Sequence, residues 1–442
     1  MSDSSTSTLA PQRDTQPVSR GLFSPIVIIG VLFFMFGFVT WLNGTLIQFF
    51  DLVGEQALLI PFAFFIAYFV LALPSSYILK VTGYKNGMAL GLFIMAIGCS
   101  LFIPAATTRT FGLFLTGLFI QASGMALLQT ACNPYVSILG PIESAANRIS
   151  IMGICNKLAG IFTIFLGAVI LKNATKIEEQ LKVTTDAVLK NTMLQELASR
   201  LIIPYIVLTI VLVVLAIAIK MSSLPEITME EDEADNSTVA SRSSIFQYPH
   251  VWLGFICIFV YVGAEVMAGD VIGLYGKSSN IPLEVTKFFT PATLVAMLVG
   301  YIVGIITIPK YISQDKALRI CAILGAVFTV GAYFASGYMA IAMIVLLGLA
   351  NSLMWPAIFP LGIDGLGKFT KVGAAILIMG IAGGAIIPLI YGGLYNPKAI
   401  FSFLYSPSID YKLAFLICTF PCYLYILYYA VAGHKVKNPK YL

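Results

Sequence analysis

Long apolar runs alternate with short polar connections along almost the whole chain. Each run has roughly 20 residues or slightly more, the length that an α-helix needs to cross the hydrocarbon core of a bilayer. The pattern therefore predicts an all-α membrane protein with twelve transmembrane helices. In chain order the predicted spans are 25–49, 57–79, 88–106, 111–139, 146–171, 201–219, 251–275, 288–309, 320–338, 340–363, 372–396 and 411–432.

A polar, acidic stretch, PEITMEEDEADNSTVASRSS, separates the first six runs from the last six and has the composition of a disordered connector. Two features recur on either side of it. Pro134 is followed by Pro356 after 222 residues, and IMGI occurs at 151–154 and again 227 residues later, at 378–381. We therefore predict two related six-helix bundles. The predicted parts are an N-terminal tail (1–22), a first bundle (23–220), an acidic cytoplasmic linker (221–248), a second bundle (249–433) and a C-terminal tail (434–442).

Basic residues indicate which side of the membrane each connection faces. The first twenty residues are polar, unlike the layout of a cleaved secretory signal, so we expect the first helix to start in the cytoplasm. With that start, short cytoplasmic connections carry eight Lys and Arg residues and short outer connections carry five. This bias agrees with the positive-inside rule and predicts that both termini are cytoplasmic.

Composition narrows the class of function. The chain is 59% hydrophobic and 11% charged, whereas soluble domains have about 25% charged residues. Its net charge of +5 is scattered over connections rather than interleaved with aromatic residues, which argues against a nucleic-acid partner. The sequence contains no Walker A pattern, no GxSxG and no CxxC or CxxH metal-ligand spacing. We therefore expect neither enzyme activity nor a cofactor, and no ATP-driven transport.

Away from the ends of the predicted spans, three residues have charged side chains: Lys157 in the fifth span, and Glu265 and Asp270 in the seventh. An ionisable group at that depth costs several kcal/mol, so it needs a partner, a watery cavity or a function. A buried carboxylate that changes its charge is what a proton-coupled carrier requires. Glu265 is the first candidate for the coupling site, although a structural ion pair with Lys157 remains an alternative. Asp270 is the second candidate, and it would be the natural ligand if Na⁺ were the coupling ion.

Neutral polar residues in the same helices suit a sugar. Sugar hydroxyls pair well with Asn, Gln and Trp, and the apolar ring face stacks on aromatic side chains. For any single residue, an interhelical hydrogen bond is an equally good explanation. The predicted substrate-binding residues are Trp41, Asn43, Gln129, Asn133, Asn156, Lys157 and Asn351.

Several motifs surround these residues. FFMFGFVTWLNGTLI contains Trp41, LLQTACNPYVSILGP contains Gln129, and RISIMGICNKLAG contains Asn156; YVGAEV, GLANSLMWPAIFPLGIDGLGK and MGIAGGAIIPLIYG follow in the second half. Together they resemble the fucose-galactose-glucose/proton symporter family of the major facilitator superfamily. The fucose carrier of that family uses a helix 1 aspartate and a helix 4 glutamate for proton and substrate. Gly44 and Gln129 stand at the matching positions here, and Lys157 replaces a serine.

The resemblance implies a major facilitator fold and a hexose carrier that works by alternating access, with glucose or galactose ahead of fucose and N-acetylglucosamine. We expect a multi-pass monomer in the lipid bilayer of a bacterial inner membrane, importing a monosaccharide together with H⁺. Coupling to Na⁺ and uncoupled passage remain open. So do an efflux antiporter for hydrophobic compounds and a sugar sensor on a transporter fold that binds without net flux.

Overall fold

The computed structural model describes residues 25–52, 56–138, 145–172, 174–184, 186–222, 224 and 244–436. The predicted N-terminal tail (1–22), most of the acidic linker and residues 437–442 of the predicted C-terminal tail lie outside the described residues.

Regular structure in the described residues is helical, and these residues contain no β-strand. The first half contains α1 (Pro25–Leu52), α2 (Leu59–Ser100), α3 (Phe102–Thr108), α4 (Phe111–Ile138), α5 (Ala145–Ile170), α6 (Ala174–Val183), α7 (Ala187–Ser199) and α8 (Ile202–Met221). The second half contains α9 (Pro249–Gly269), α10 (Ile272–Ser278), α11 (Leu283–Thr286), α12 (Phe289–Thr307), α13 (Gln314–Phe334), α14 (Gly337–Asn351), α15 (Met354–Ile363), α16 (Thr370–Met379), α17 (Gly383–Tyr395) and α18 (Tyr411–Val431).

Eleven helical segments in the described part of the chain are long and apolar enough to cross a membrane. One of them, Leu59–Thr108, has 50 residues, and Gly83 within it has the non-helical angles φ 75° and ψ 173°. A straight helix of that length would measure about 75 Å, far more than the hydrocarbon core of about 30 Å. The predicted spans 57–79 and 88–106 are therefore joined into one segment that changes direction at Gly83.

Three other predicted spans are each divided into two helices. The seventh span ends as α9 at Gly269 and resumes as α10. The tenth span is split into α14 and α15. The eleventh span is split into α16 and α17 by a 3-10 turn at Gly380–Ala382. Interruptions inside a membrane helix expose backbone groups, which are tolerated where they are buried in protein or line a cavity. Hydrophobicity locates the runs, but it does not reveal these breaks.

Large apolar side chains point outward from the bundle. Phe165 on α5 is 67% exposed and Ile203 on α8 is 72% exposed, and Val207 on α8 and Val327 on α13 are also exposed. Such a surface would be an aggregation liability in water, but it is the surface expected of helices that face lipid tails.

Glycines bring helices into backbone contact within each half. A Cβ atom at Gly37 on α1 would lie 1.8 Å from the carbonyl oxygen of Asn156 on α5, and one at Gly383 on α17 would lie 1.7 Å from the carbonyl oxygen of Phe259 on α9. Small residues at such crossings are the usual means of close packing in membrane bundles. They fix α1 against α5 and α9 against α17, and α1, α5 and α9 carry most of the candidate site.

The two halves are bridged at both ends of the bundle. At the distal end, where α1 ends, Lys277 Nζ donates to Asp51 Oδ2 at 2.6 Å and Gln56 Nε2 donates to the Lys398 carbonyl oxygen at 3.1 Å. At the proximal end, where α1 begins, Lys371 Nζ lies 5.1 Å from the centre of the Tyr84 ring. The space between these bridges is the interior of the interface between the halves.

Candidate functional site

A cavity of about 100 Å³ lies between the two halves, midway along the helices. Seven of the nine sequence-predicted site residues line it: Trp41, Gln129, Asn133, Asn156, Lys157, Glu265 and Asp270. Aromatic rings from both halves complete much of its wall: Phe33, Phe36, Phe65, Tyr68, Tyr261, Tyr301 and Trp355. The structure thus brings amide, charged and aromatic side chains to one space between the halves.

An ion pair crosses the cavity from one half to the other. Lys157 Nζ on α5 donates to Glu265 Oε1 on α9 at 2.9 Å, and the two side chains are only 8% and 12% exposed. The same ammonium group lies 4.2 Å from the centre of the Trp41 ring, a cation-π distance. A buried pair of this kind adds little net stability, but removal of one partner leaves an uncompensated charge.

Trp41 and Asn156 connect α1 to α5 beside that pair. Trp41 Nε1 donates to Asn156 Oδ1 at 3.0 Å. Gly37 lies one helical turn before Trp41 and contacts the Asn156 backbone, so the same face of α1 supplies both the close approach and the indole donor. The hydrogen bond holds the Asn156 amide at the cavity wall.

A second polar group joins α2 and α4 on the first-half side of the cavity. Gln129 Nε2 donates to the Tyr68 hydroxyl at 3.1 Å, and Asn133 Nδ2, one turn later, donates to the Gln129 carbonyl oxygen at 2.9 Å. Gln129 and Asn133 therefore present their side chains from one face of α4, where a sugar's hydroxyls could exchange with these bonds.

Asp270 occupies the end of α9, on the distal side of the cavity. Its side chain is fully buried, and among the described residues neither carboxylate oxygen has a hydrogen bond of ordinary geometry. The backbone of Gly44 on α1 lies beside it, because a Cβ atom at Gly44 would be 3.3 Å from Asp270 Oδ1. Asp270 is thus a carboxyl group at the boundary between the two halves.

Two predicted residues, Asn43 and Asn351, are not among the described residues that line the cavity. Asn43 is buried, and neither atom of its amide has a hydrogen-bond partner among the described residues. Asn351 Oδ1 accepts a hydrogen bond from the Tyr423 hydroxyl at 3.0 Å, which joins α14 to α18 within the second half.

The site residues that sequence reasoning missed are mainly aromatic. Tyr68, Tyr261 and Tyr301 line the cavity, but the chain contains 21 Tyr and 31 Phe residues, so residue type alone does not distinguish them. Tyr261 precedes Glu265 by one helical turn on α9, and this spacing is the one signal that could have pointed to it.

Comparisons with known proteins match this architecture over most of the chain. The sequence pattern of the Major Facilitator Superfamily matches residues 26–390. The glucose/galactose transporter of Brucella abortus biovar 1 (strain 9-941) is 37% identical over 416 residues, which cover 92% of this chain and 93% of the relative. The L-fucose-proton symporter of Escherichia coli (strain K12) is 29% identical, with 85% of this chain and 87% of the relative covered.

A solved structure supports the same assignment. The crystal structure of the transporter FucP in the outward conformation superposes with a TM-score of 0.71 and 26% sequence identity, covering 92% of this chain and 97% of FucP. These relatives are transporters rather than enzymes. The family match, the near full-length relatives and the shared fold together show that this chain belongs to the Major Facilitator Superfamily.

Proposed function

We propose that this chain is a secondary active transporter that imports a monosaccharide across a bacterial inner membrane by alternating access. Glucose and galactose are the first substrates in this proposal, ahead of fucose and N-acetylglucosamine, because a relative named as a glucose/galactose transporter matches 92% of the chain. The observation that carries the proposal is the cavity between the halves, which combines amide groups, a buried ion pair and aromatic rings.

The chemistry of the wall suits a sugar better than a wholly apolar compound. Trp41, Gln129, Asn133 and Asn156 offer hydrogen-bonding groups, and Trp355 offers an aromatic face against which a pyranose ring can stack. A site with buried polar groups favours ligands that satisfy them, since an apolar ligand would leave those groups unpaired. The polar groups of the wall therefore favour a sugar over the hydrophobic substrates of an efflux antiporter.

We further propose twelve membrane crossings, with the break at Gly83 as the connection between the second and the third. The proximal end would then face the cytoplasm, together with both termini, and the distal end would face the periplasm. The basic residues Lys80, Lys85 and Arg148 lie near the proximal end, in agreement with the positive-inside rule. We also propose that the protein functions as a monomer, because one chain supplies both halves of the cavity.

Proton coupling is the preferred mode of energy input. A relative that matches 85% of the chain is named a proton symporter, and the cavity is lined by one lysine and two carboxylic acids, Lys157, Glu265 and Asp270. Ion binding at such a site can change the free-energy difference between the two orientations of the halves, which is how a gradient is coupled to accumulation.

Uptake into proteoliposomes tests the function. Radiolabelled glucose, galactose, fucose and N-acetylglucosamine would be supplied under separately imposed proton and sodium gradients, with protein-free liposomes as the control. We expect proton-driven accumulation, strongest for glucose or galactose. Accumulation with a sodium gradient alone would contradict the assigned ion. No flux of any of the four sugars would contradict the function itself and favour the efflux or sensor alternatives.

A further inference from the structure

We infer that Asp270 is the group that takes up and releases the transported proton, while Glu265 remains charged and paired with Lys157. This inference rests on the proposed proton-coupled transport and assigns its coupling site. The two carboxylates line the same cavity, but their surroundings differ in a way that separates their roles.

Glu265 already has a compensating charge. Lys157 Nζ lies 2.9 Å from Glu265 Oε1 and is also held over the Trp41 ring at 4.2 Å. A proton on Glu265 would leave the buried Lys157 ammonium without its anion, which is strongly unfavourable in a low-dielectric interior. The pair is therefore suited to persist as a neutral unit that joins α5 to α9.

Among the described residues, Asp270 has no cation within hydrogen-bonding distance. Within the described residues, Glu265 and Lys157 are the charged side chains that interact electrostatically with it. The hydroxyl groups of Thr290 and Thr293 on the neighbouring α12 donate elsewhere, to the carbonyl oxygens of Gly269 and Ala268 at 2.6 and 3.1 Å. One cation therefore faces two carboxylates, and this group of three side chains has a net charge of −1 unless one proton is bound.

Closure of the cavity then requires that proton. An ionised carboxylate that loses its water and gains no partner costs several kcal/mol, so the arrangement in which Asp270 is fully buried is the neutral, proton-bound one. When the proton leaves, the charge needs water, and the buried carboxyl group gains water when the surrounding helices part. In this way protonation favours closure of the halves and release favours opening.

Gly44 allows the carboxyl group to sit at the boundary between the halves. Asp270 belongs to the second half, whereas Gly44 belongs to α1 of the first, and a Cβ atom at Gly44 would lie 3.0 Å from Thr290 Oγ1 and 3.3 Å from Asp270 Oδ1. A side chain at position 44 would compete for the space that the Asp270 carboxyl group occupies. The coupling carboxyl group therefore reaches α1 from the opposite half.

Asp270→Asn provides the first test, because asparagine imitates the proton-bound form. In proteoliposomes that show wild-type sugar flux, we expect this variant to retain sugar counterflow within about threefold of wild type, a difference below about 1 kcal/mol. It should lose accumulation driven by a proton gradient. Asp315→Asn is the matched control, because Asp315 pairs with Arg319 on its own helix at 2.9 Å and should keep both activities.

Other outcomes of that test overturn the inference. Proton-driven accumulation by Asp270→Asn would show that another group carries the proton. Loss of counterflow in well-folded Asp270→Asn would show that Asp270 contributes to sugar binding or to structure. Accumulation driven by sodium in the wild type would show that the coupling ion is a cation other than H⁺. Failure of the proposed function is distinguishable, because the wild type itself would then show no sugar flux.

Chemical labelling of the unmodified protein gives a test that needs no variant. Dicyclohexylcarbodiimide is apolar and reacts with protonated carboxyl groups, so mass spectrometry of peptides from treated wild-type protein reports which carboxyl group carries a proton. We expect an adduct on Asp270 that decreases as the pH is raised, and none on Glu265. An adduct on Glu265 without one on Asp270, or no adduct on either residue, would contradict the assignment.

Discussion

At the scale of single residues, four side chains around one point of the cavity wall depend on one another. Trp41 donates to Asn156 at 3.0 Å, and its ring also lies against the ammonium group of Lys157, which in turn pairs with Glu265. The indole therefore orients an amide and stabilises a cation at once. A sugar placed here would meet groups whose positions are set before it binds, which lowers the entropic cost of binding.

Asn156→Ala should abolish detectable sugar binding. The change removes an amide from the cavity wall and leaves the buried Trp41 N–H without its acceptor, and an unsatisfied buried group costs about 1–3 kcal/mol. Isothermal titration of purified protein with glucose and galactose measures the effect. Gln121→Ala is the control, because Gln121 is a buried amide of the same half that donates to Cys99 Sγ and not into the cavity. Sugar affinity retained by Asn156→Ala would refute this role.

Sequence reasoning found the charged members of the site because a charge in an apolar run is conspicuous. It did not separate the amides that line the cavity from the amides that lie elsewhere. Asn43 is two positions from Trp41 on α1, and successive residues of an α-helix are separated by about 100°, so the two side chains point to nearly opposite faces. Asn351 pairs with Tyr423, a tertiary contact between distant parts of the chain that no local pattern reveals.

At the scale of helices, the contact between α1 and α5 sets the geometry of the site. The absence of a side chain at Gly37 lets the α5 backbone approach, and the carbonyl oxygen that it meets belongs to Asn156 itself. Helix packing and site geometry are therefore coupled at this crossing. The sequence indicated both helices correctly, but it did not indicate that this particular glycine lies under the site.

Gly37→Ala should destabilise the protein and weaken sugar binding together. The added Cβ would lie 1.8 Å from a backbone oxygen, so the helices must separate, and overpacking of this kind typically costs about 1–3 kcal/mol. Thermal unfolding monitored by tryptophan fluorescence measures the first effect and sugar titration the second. Gly112→Ala is the control, because a Cβ there meets no described atom within 4 Å. Equal melting temperatures for the two variants would contradict this account of the crossing.

At the scale of the whole molecule, the two halves are held together by different contacts at the two ends. The distal bridges, Asp51 to Lys277 and Gln56 to Lys398, surround a second space of about 320 Å³ between the halves. Alternating access requires that the bridges at one end break while those at the other hold. Hydropathy placed the helices in two halves, whereas these bridges depend on residues far apart in sequence.

Asp51→Asn should favour opening at the distal end. The pair is partly exposed, so its loss is worth up to about 1 kcal/mol, a population shift of no more than about fivefold. Ser278 lines the distal space. The rate at which maleimide labels the variant Ser278→Cys therefore reports how often the distal end opens. We expect a severalfold faster rate with Asp51→Asn and an unchanged rate with Asp315→Asn, whose pair lies within one helix. An unchanged labelling rate in Asp51→Asn would show that this ion pair does not hold the distal end closed.

Deletion of residues 228–240 should leave sugar uptake intact. These residues belong to the acidic linker and lie outside the described residues, and their composition is that of a spacer between the bundles. Uptake by the deletion variant, normalised to the amount of inserted protein, tests this expectation. Loss of uptake in correctly inserted protein would give the linker a role in transport.

The most direct test of the central claim is a simultaneous recording of sugar and proton movement. Proteoliposomes containing the protein would be suspended in weakly buffered medium, and external pH would be followed as labelled galactose or glucose is added. We predict that sugar entry is accompanied by alkalinisation of the medium, that a protonophore abolishes the pH change, and that Asp315→Asn behaves like the wild type. Sugar entry with no proton movement, or no sugar entry at all, would contradict this prediction.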